Sequence, residues 1–306
     1  MKILCINTRK GIGDQIIFLP YIHAISNKFK NSVSLLAKEN SRASDLFAQD
    51  ARIDEIITLE KNMDGIKGIF KLSRELKKKK FDKIFIFNSS LRYYIVAKLS
   101  GIKTIKQYPL FLKKDNIVHT AKIFTESITN TIVSTKPNLI FKKKNNLDKN
   151  FKHICLGISS SGPTKRWNIN NYIKLAREIS KKKKCKFYLA GGEKDADLIK
   201  IFKETDIGKN TLSFEKMSIK ESLGYISACD LYIGNDTGWS HISVALNIKA
   251  ITIFCDSPVA AYGSYSSKMT TIEPEGVIKG TTTHDTLGKD KISFEEVFNK
   301  SMKELN

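Results

Sequence analysis

The chain has 306 residues, 41% of them hydrophobic, and carries 52 lysines and arginines against 31 acidic residues for a formal charge of +21. This is long for one core and apolar enough for two globular domains, while no apolar run approaches the ~18–20 residues of a membrane-spanning helix. The opening Met1-Lys-Ile-Leu-Cys-Ile enters a strand-like run rather than a secretion signal, so a cytoplasmic protein is expected.

The elements alternate. A strand over Lys2 to Asn7 leads through Arg9-Lys-Gly-Ile-Gly-Asp14 into a helix from Gln15 to Phe29, with Pro20 expected to kink or delimit its first turns. Val33 to Ala37 and Glu55 to Leu59 read as strands around a short helix at Ser44 to Gln49. Gly65 to Lys80 is a basic amphipathic helix, and Lys83 to Phe87 is a strand ending at Asn88-Ser-Ser-Leu-Arg92. Helix Tyr93 to Leu99, strand Gly101 to Ile105 and helix Val118 to Ser127 complete the first half. Between Lys136 and Asn150 the chain turns polar around one apolar island, Leu139 to Phe141, which marks a linker.

The pattern then restarts with strand His153 to Ile158, loop Ser159 to Trp167 and helix Asn170 to Lys182. Strand Phe187 to Ala190, turn Gly191-Gly-Glu-Lys194 and helices over Asp195 to Lys203 and Ile219 to Ala228 follow. Leu231 to Ile233 is a short buried strand ending in Gly234-Asn-Asp-Thr-Gly238, and helix Trp239 to Leu246, strand Ala250 to Phe254 and a terminal helix Phe294 to Leu305 close the chain. Strands alternating with helices at this interval form parallel sheets, so two doubly wound α/β domains are expected, with a tail helix able to cross back to the first.

Ligands of such sheets collect beyond the carboxyl ends of the strands, and the polar or glycine-bearing loops fall there. Asp14 stands at the front of a helix, either as a first-turn cap or as a carboxylate able to take a proton from a hydroxyl. Ser159 to Lys165 offers hydroxyls, backbone N–H groups and a lysine, which suit a diphosphate without a metal; the alternative is a basic turn plugged by Trp167. Glu193 follows two glycines at another strand end, where ribose hydroxyls could bond it. The turn at Asp236 to Gly238 aims a helix N-terminus above the sheet, although Asp236 or Thr237 could equally serve as a cap. Gly11-Ile-Gly is not a dinucleotide fingerprint, because position 16 is isoleucine.

The five cysteines are scattered without Cys-x-x-Cys or Cys/His spacing, so neither a disulfide framework nor a metal site is expected. The positive charge would attract nucleic acid, an anionic membrane or phosphorylated substrates. Much of it lies in lysine runs, Lys77 to Lys80, Lys142 to Lys144 and Lys181 to Lys184, that also read as solvated faces. The basic runs lack interleaved aromatics and nucleic-acid motifs, so no nucleic-acid partner is expected.

Gly13-Asp14 followed by Pro20, Lys165-Arg-Trp167, Gly191-Gly192, and above all Asn235-Asp-Thr-Gly238 with His241, occur in the order seen in the ADP-heptose:lipopolysaccharide heptosyltransferases. From Lys2 to about Phe254 the sequence resembles glycosyltransferase family 9. The resemblance implies a GT-B fold, two facing Rossmann-like doubly wound domains, with an acceptor side at residues 1–145 and a nucleotide-sugar side at 146–306. It implies an inverting, metal-independent transfer of a sugar, heptose from an ADP-linked donor, to a lipopolysaccharide or related surface glycan. The donor is a substrate, and no cofactor is expected.

Residue by residue, Asp14 matches the family's general base and Lys165 the lysine near the donor phosphates, with Ser160 and Ser161 where hydroxyls stand. Asp236, Thr237 and Gly238 match the donor loop, Asp236 near the sugar and the next two near the diphosphate. Glu193 and His241 are supporting positions, and His241 is equally readable as structural. On the acceptor side, Arg9, Asn88 and Arg92 are the recognisable candidates for an anionic lipid-linked or glycan partner at a membrane surface. Asn168 replaces a common proline, and Tyr262 to Ser267 departs from the family's glycine-rich run. A nucleotide-sugar epimerase or hydrolase on the same fold is the alternative, with a basic nucleic-acid-binding protein behind it.

Overall fold

The computed structural model describes every residue except 61, 62, 64, 111–115, 143 and 144. It divides into two units, Met1–Ile140 and Phe141–Asn306, so the break falls inside the apolar island, just ahead of residue 145. Lys143 and Lys144 of the expected central lysine run lie outside the described residues.

The first domain is a five-stranded parallel sheet built from β1 (Ile3–Ile6), β2 (Val33–Lys38), β3 (Ile53–Leu59), β4 (Lys83–Ile86) and β5 (Thr104–Gln107). Its order is β3-β2-β1-β4-β5. The strand β1 is buried along its whole length, as an unbroken apolar run in the middle of a parallel sheet must be. Helix α1 (Ile12–Phe29) continues through Pro20 without ending there and begins ahead of the expected Gln15. At that early start the Asp14 carboxylate accepts the Gly11 N–H at 3.3 Å, meeting one of the otherwise open donors of the first turn. Helix α2 (Ala43–Phe47) links β2 to β3.

Helices α3 (Gly65–Lys79) and α4 (Leu91–Leu99) share one core with the sheet through Leu72, Leu76, Tyr93, Val96 and Ala97. The lysines at the end of α3 sit where the helix dipole favours positive charge. Helix α5 (Ile117–Thr129) joins α1, with the Tyr21 hydroxyl donating to the Val118 carbonyl at 2.8 Å.

The second domain contains β6 (Lys152–Gly157), α6 (Ile169–Ser180), β7 (Cys185–Ala190), α7 (Ala196–Lys203), β8 (Leu212–Ser213) and α8 (Ile219–Ile226). The chain continues through β9 (Leu231–Asn235), α9 (Gly238–Ala245), β10 (Lys249–Ile253), α10 (Val259–Tyr262), β11 (Met269–Ile272) and α11 (Phe294–Leu305). The parallel order is β11-β10-β9-β6-β7-β8. Two edge strands, β8 and β11, and the one-turn helix α10 are additions to the elements expected from sequence; none is long enough to show a period of its own.

Strand β9 runs two residues beyond the expected Ile233, through Gly234 and Asn235. Gly234 lies directly opposite Gly157 of β6. A side chain at either glycine would collide with the Tyr232 hydroxyl or the facing backbone, so close approach requires both. Helix α11 packs on the second domain, with Val297 and Leu305 buried in its core and Phe294, Phe298 and Met302 packed against it.

Candidate active site

In each sheet the chain leaves the central strand in one direction and later returns to its other side. The reversal lies between β1 and β4 in the first domain and between β6 and β9 in the second. Loops beyond the carboxyl ends of such a strand pair diverge and leave a crevice. In both domains an asparagine holds the two loops together.

In the second domain that residue is Asn235, fully buried at the end of β9. Its amide donates to the carbonyls of Ser159 at 3.0 Å and Ile158 at 3.3 Å, and its oxygen accepts the Trp167 N–H at 2.9 Å. Both ends of the Ser159–Trp167 loop are therefore fixed to the strand that carries Asp236. Trp167 is fully buried, 4.9 Å edge-on from Tyr172 and stacked at 6.4 Å on Phe294. The tryptophan is thus the expected plug, and by anchoring one end of the loop it leaves the intervening residues at the crevice.

Within the loop, the Ser160 hydroxyl donates to the Gly162 carbonyl at 2.7 Å and accepts from Arg166 Nε at 3.2 Å. Arg166 also reaches Asp195 Oδ1 at 3.4 Å, and Asp195 Oδ2 accepts the Gly192 N–H at 3.0 Å. Ser160 thus braces the loop, and the carboxylate built into the β7 turn is Asp195, which sequence reasoning passed over. Glu193, in the same turn, is exposed, as is Ser161. Asn168 caps α6 by accepting the Asn170 N–H at 2.9 Å, a local reason for its presence.

Lys165 is half-buried in the short turn Pro163–Lys165. Its charge acts on Asp256, at the end of β10. Burial pushes the Asp256 carboxyl up, but the Leu287 N–H, the Thr164 hydroxyl and Lys165 outweigh it and hold that group below the usual carboxylate range. Asp256 therefore remains an anion beside the lysine, another residue the sequence reading did not select.

At the adjoining strand end Thr237 occupies the N-cap position of α9, yet no side chain makes the capping hydrogen bond. The expectation that Asp236 or Thr237 merely caps this helix fails on that geometry. In that turn the Ser240 N–H donates to the Thr237 carbonyl at 3.1 Å, and an uncapped helix start of this kind is suited to an anion. Asp236 is half-buried beside Thr237, and its Oδ1 lies 3.3 Å from Nε2 of His241. His241 is buried and its Nδ1 lies 2.6 Å from the Tyr265 hydroxyl. The segment set apart in the sequence as divergent therefore returns a tyrosine to His241 of α9.

In the first domain Asn88 plays the corresponding part, its side-chain oxygen accepting the Thr8 N–H at 3.0 Å across the reversal. Gln107 secures the same loop by donating to the carbonyls of Ser90 at 2.9 Å and Asn88 at 3.1 Å. Arg9, half-buried at the end of β1, lies over the rings of Phe18 at 4.7 Å and Tyr108 at 5.8 Å, with its Nε buried. Asp14 is half-buried at the start of α1, with Oδ2 accepting the Gly11 N–H and Oδ1 buried. Arg92 donates to the carbonyls of Met63 and Gly65, which spends it on holding the entry to α3. Among the described residues no group of three His, Cys, Asp or Glu side chains gathers, and no helix is long and apolar enough to cross a membrane.

Comparison with known proteins agrees with these loops. The model of "Glycosyltransferase family 9 (heptosyltransferase)" matches residues 125–285, just over half of the chain, spanning the Ser159–Trp167 and Asp236–Gly238 loops. A lipooligosaccharide heptosyltransferase 2 of Campylobacter jejuni is 30% identical over 268 residues, covering 83% of this chain and 81% of its own. Among solved structures, E. coli ADP-heptose lps heptosyltransferase II superposes with a TM-score of 0.79 at 19% identity, covering 100% of this chain and 98% of its own. A family 9 glycosyltransferase from Veillonella parvula gives 0.78 at 16% identity, with 99% and 97% covered. With two parallel-sheet domains of the GT-B class and a family match across the Ser159–Trp167 and Asp236–Gly238 loops, the chain belongs to glycosyltransferase family 9 and is a glycosyltransferase.

Proposed function

We propose that the chain transfers heptose from an ADP-linked donor to a lipooligosaccharide or lipopolysaccharide acceptor, with inversion and without a metal. The observation that carries this reading is the arrangement at the reversal of the second sheet, where Asn235 fixes both ends of the lysine-bearing loop to the strand leading into the uncapped α9.

Breaking a glycosyl–phosphate bond develops positive charge on the sugar and negative charge on the leaving diphosphate. Lys165 and the backbone N–H groups of the Thr237–Gly238 turn are fixed donors for that leaving group, the part a metal plays elsewhere. Ser161 is exposed along the same loop for a further phosphate contact, and Glu193 is an exposed carboxylate for the ribose hydroxyls. Asp236, beside the phosphate turn, takes hydroxyls of the donor sugar. Asp14 accepts the proton of the attacking acceptor hydroxyl, which attacks the anomeric carbon from the face opposite the leaving group and inverts it. The half-buried Arg9 meets an anionic group of the acceptor.

A lipid-linked acceptor also gives a use for the surface of the first domain. Ile66 and Phe70 of α3 are 77% and 59% exposed, and Leu91, Ile95 and Leu99 of α4 stand exposed on the neighbouring helix. With Lys67, Lys71 and Lys98 among them, these side chains suit an anionic membrane face.

The test is thermal stabilisation by ADP-, UDP-, GDP- and CDP-linked sugars, with and without EDTA. Stabilisation by the ADP-linked sugar that EDTA leaves unchanged supports the reading. Stabilisation by another nucleotide class, or one abolished by EDTA, contradicts it.

A further inference from the structure

Asp236, His241 and Tyr265 form a line of carboxylate, imidazole and phenol at the start of α9. His241 Nδ1 is hydrogen-bonded to the Tyr265 hydroxyl at 2.6 Å, while His241 Nε2 lies 3.3 Å from Asp236 Oδ1, an ion-pair approach in which that buried oxygen makes no hydrogen bond. His241 and Tyr265 are only 3% and 4% exposed, whereas the Asp236 side chain, 11% exposed, reaches the surface of the donor turn. The Tyr265 ring stacks on the imidazole with centroids 5.7 Å apart, and Tyr262 closes its edge at 6.2 Å. The imidazole is therefore held in place by rings and opens toward the carboxylate.

We propose that Tyr265 is a positioning residue for sugar transfer, fixing through His241 the orientation of the Asp236 carboxylate toward the hydroxyls of the donor sugar. This rests on the proposed placement of Asp236 at that sugar. A neutral imidazole has one donor and one acceptor nitrogen, and the partner of one decides the role of the other. A phenol that keeps its proton donates to Nδ1, which leaves the ring proton on Nε2, facing Asp236. Burial first, and the nearby Asp236 charge second, push the Tyr265 hydroxyl well above its ordinary range, so that it remains a donor.

Without the phenol, the ring proton is free to move to Nδ1. A nitrogen lone pair then faces the carboxylate across that 3.3 Å approach and repels it, so the carboxylate turns. The backbone N–H groups that meet the diphosphate are untouched by that change. Tyr265 therefore acts on affinity for the sugar portion of the donor and leaves affinity for the nucleotide alone unchanged.

The experiment measures binding of ADP and of ADP-heptose to the whole chain by calorimetry, in the wild type, Tyr265→Phe, His241→Gln and the double variant. The ratio of the two dissociation constants isolates the sugar's contribution. In the wild type ADP-heptose binds more tightly than ADP, and Tyr265→Phe reduces that advantage by about tenfold with ADP affinity unchanged, the scale of one lost charge-assisted hydrogen bond. In the His241→Gln background, where an amide donor toward Asp236 no longer depends on the phenol, Tyr265→Phe changes the ratio by less than about twofold. Equal effects of Tyr265→Phe in both backgrounds overturn the proposal, since packing alone then explains it.

Nitrogen-15 spectra of labelled histidine, with His241→Gln supplying the assignment, give a second readout independent of ligand. The proton resides on Nε2 of His241 in the wild type and moves to Nδ1 in Tyr265→Phe; a wild-type proton on Nδ1, or an Nε2 proton retained in Tyr265→Phe, overturns the relay. Failure of the wild type to bind either nucleotide removes the donor-site reading and the sugar-positioning role together, and the tautomer remains the separate measure of the His241–Tyr265 hydrogen bond.

Discussion

Replacing Asn235 by alanine removes all three hydrogen bonds that tie the Ser159–Trp167 loop to β9. Because the site is fully buried, water does not replace them, and the Trp167 N–H and the carbonyls of Ile158 and Ser159 are left poorly satisfied. At ~1–3 kcal/mol for an orphaned buried group, with the carbonyls at the lower end, the loss is about 3–5 kcal/mol. For a domain the size of Phe141–Asn306, at ~2–4 °C per kcal/mol, this corresponds to a fall in Tm of about 6–20 °C. The assay is favourable because both tryptophans of the chain, Trp167 and Trp239, lie in this domain, so their emission follows its unfolding in urea. Asn235→Asp keeps an acceptor for Trp167 but turns a carboxylate toward two carbonyl oxygens, and is expected to be at least as damaging at neutral pH. Loss of less than about 1 kcal/mol in Asn235→Ala, with native tryptophan emission, would refute the claim that this amide holds the loop.

Asp14→Asn preserves an oxygen for the Gly11 N–H while removing the base, so transfer should fall by about 10²–10⁴-fold with donor affinity nearly unchanged; full turnover by this variant removes Asp14 from the mechanism. Flotation with vesicles containing anionic lipid should recover the wild type at low salt and lose Ile66→Ser/Phe70→Ser, while equal recovery with purely zwitterionic vesicles would argue against a charged membrane face. Acid stability provides a further check on the first domain. Burial pushes the Asp50 carboxyl up, but hydrogen bonds and charge from His23 and Arg52 outweigh it and lower its pKa from 3.8 to about 2. Since the folded value is depressed, the corresponding stability, about 2 kcal/mol, is present above pH ~4 and is lost as pH falls toward ~2. Asp50→Asn should flatten the acid-unfolding profile in that window; an unchanged slope would show that this buried cluster does not contribute.

The parts of the site that sequence revealed are those whose chemistry is local. A buried strand, a polar turn and a helix follow one another at Leu231–Ala245, and the same order marks Lys152–Ser180 and Ile3–Phe29. What holds the loops in place depends on distant partners. Asn235 meets Trp167 across 68 positions, Arg166 meets Asp195 across 29, and His241 meets Tyr265 across 24. Asp195 was obscured by the adjacent Glu193, since the sequence offers both carboxylates and only the turn geometry shows which is built into it. Tyr265 lay in a segment read as a departure from the family, and the edge strands were too short to betray themselves by periodicity.

The most direct test of the proposed function is product analysis with purified protein, ADP-heptose and a heptose-deficient lipooligosaccharide in EDTA. The expected outcome is one heptosyl group added per acceptor, with inverted anomeric configuration, equimolar ADP release, and no consumption of ADP-heptose when the acceptor is omitted. Consumption or isomerisation of the donor without acceptor, or transfer that EDTA abolishes, would contradict metal-free heptosyl transfer.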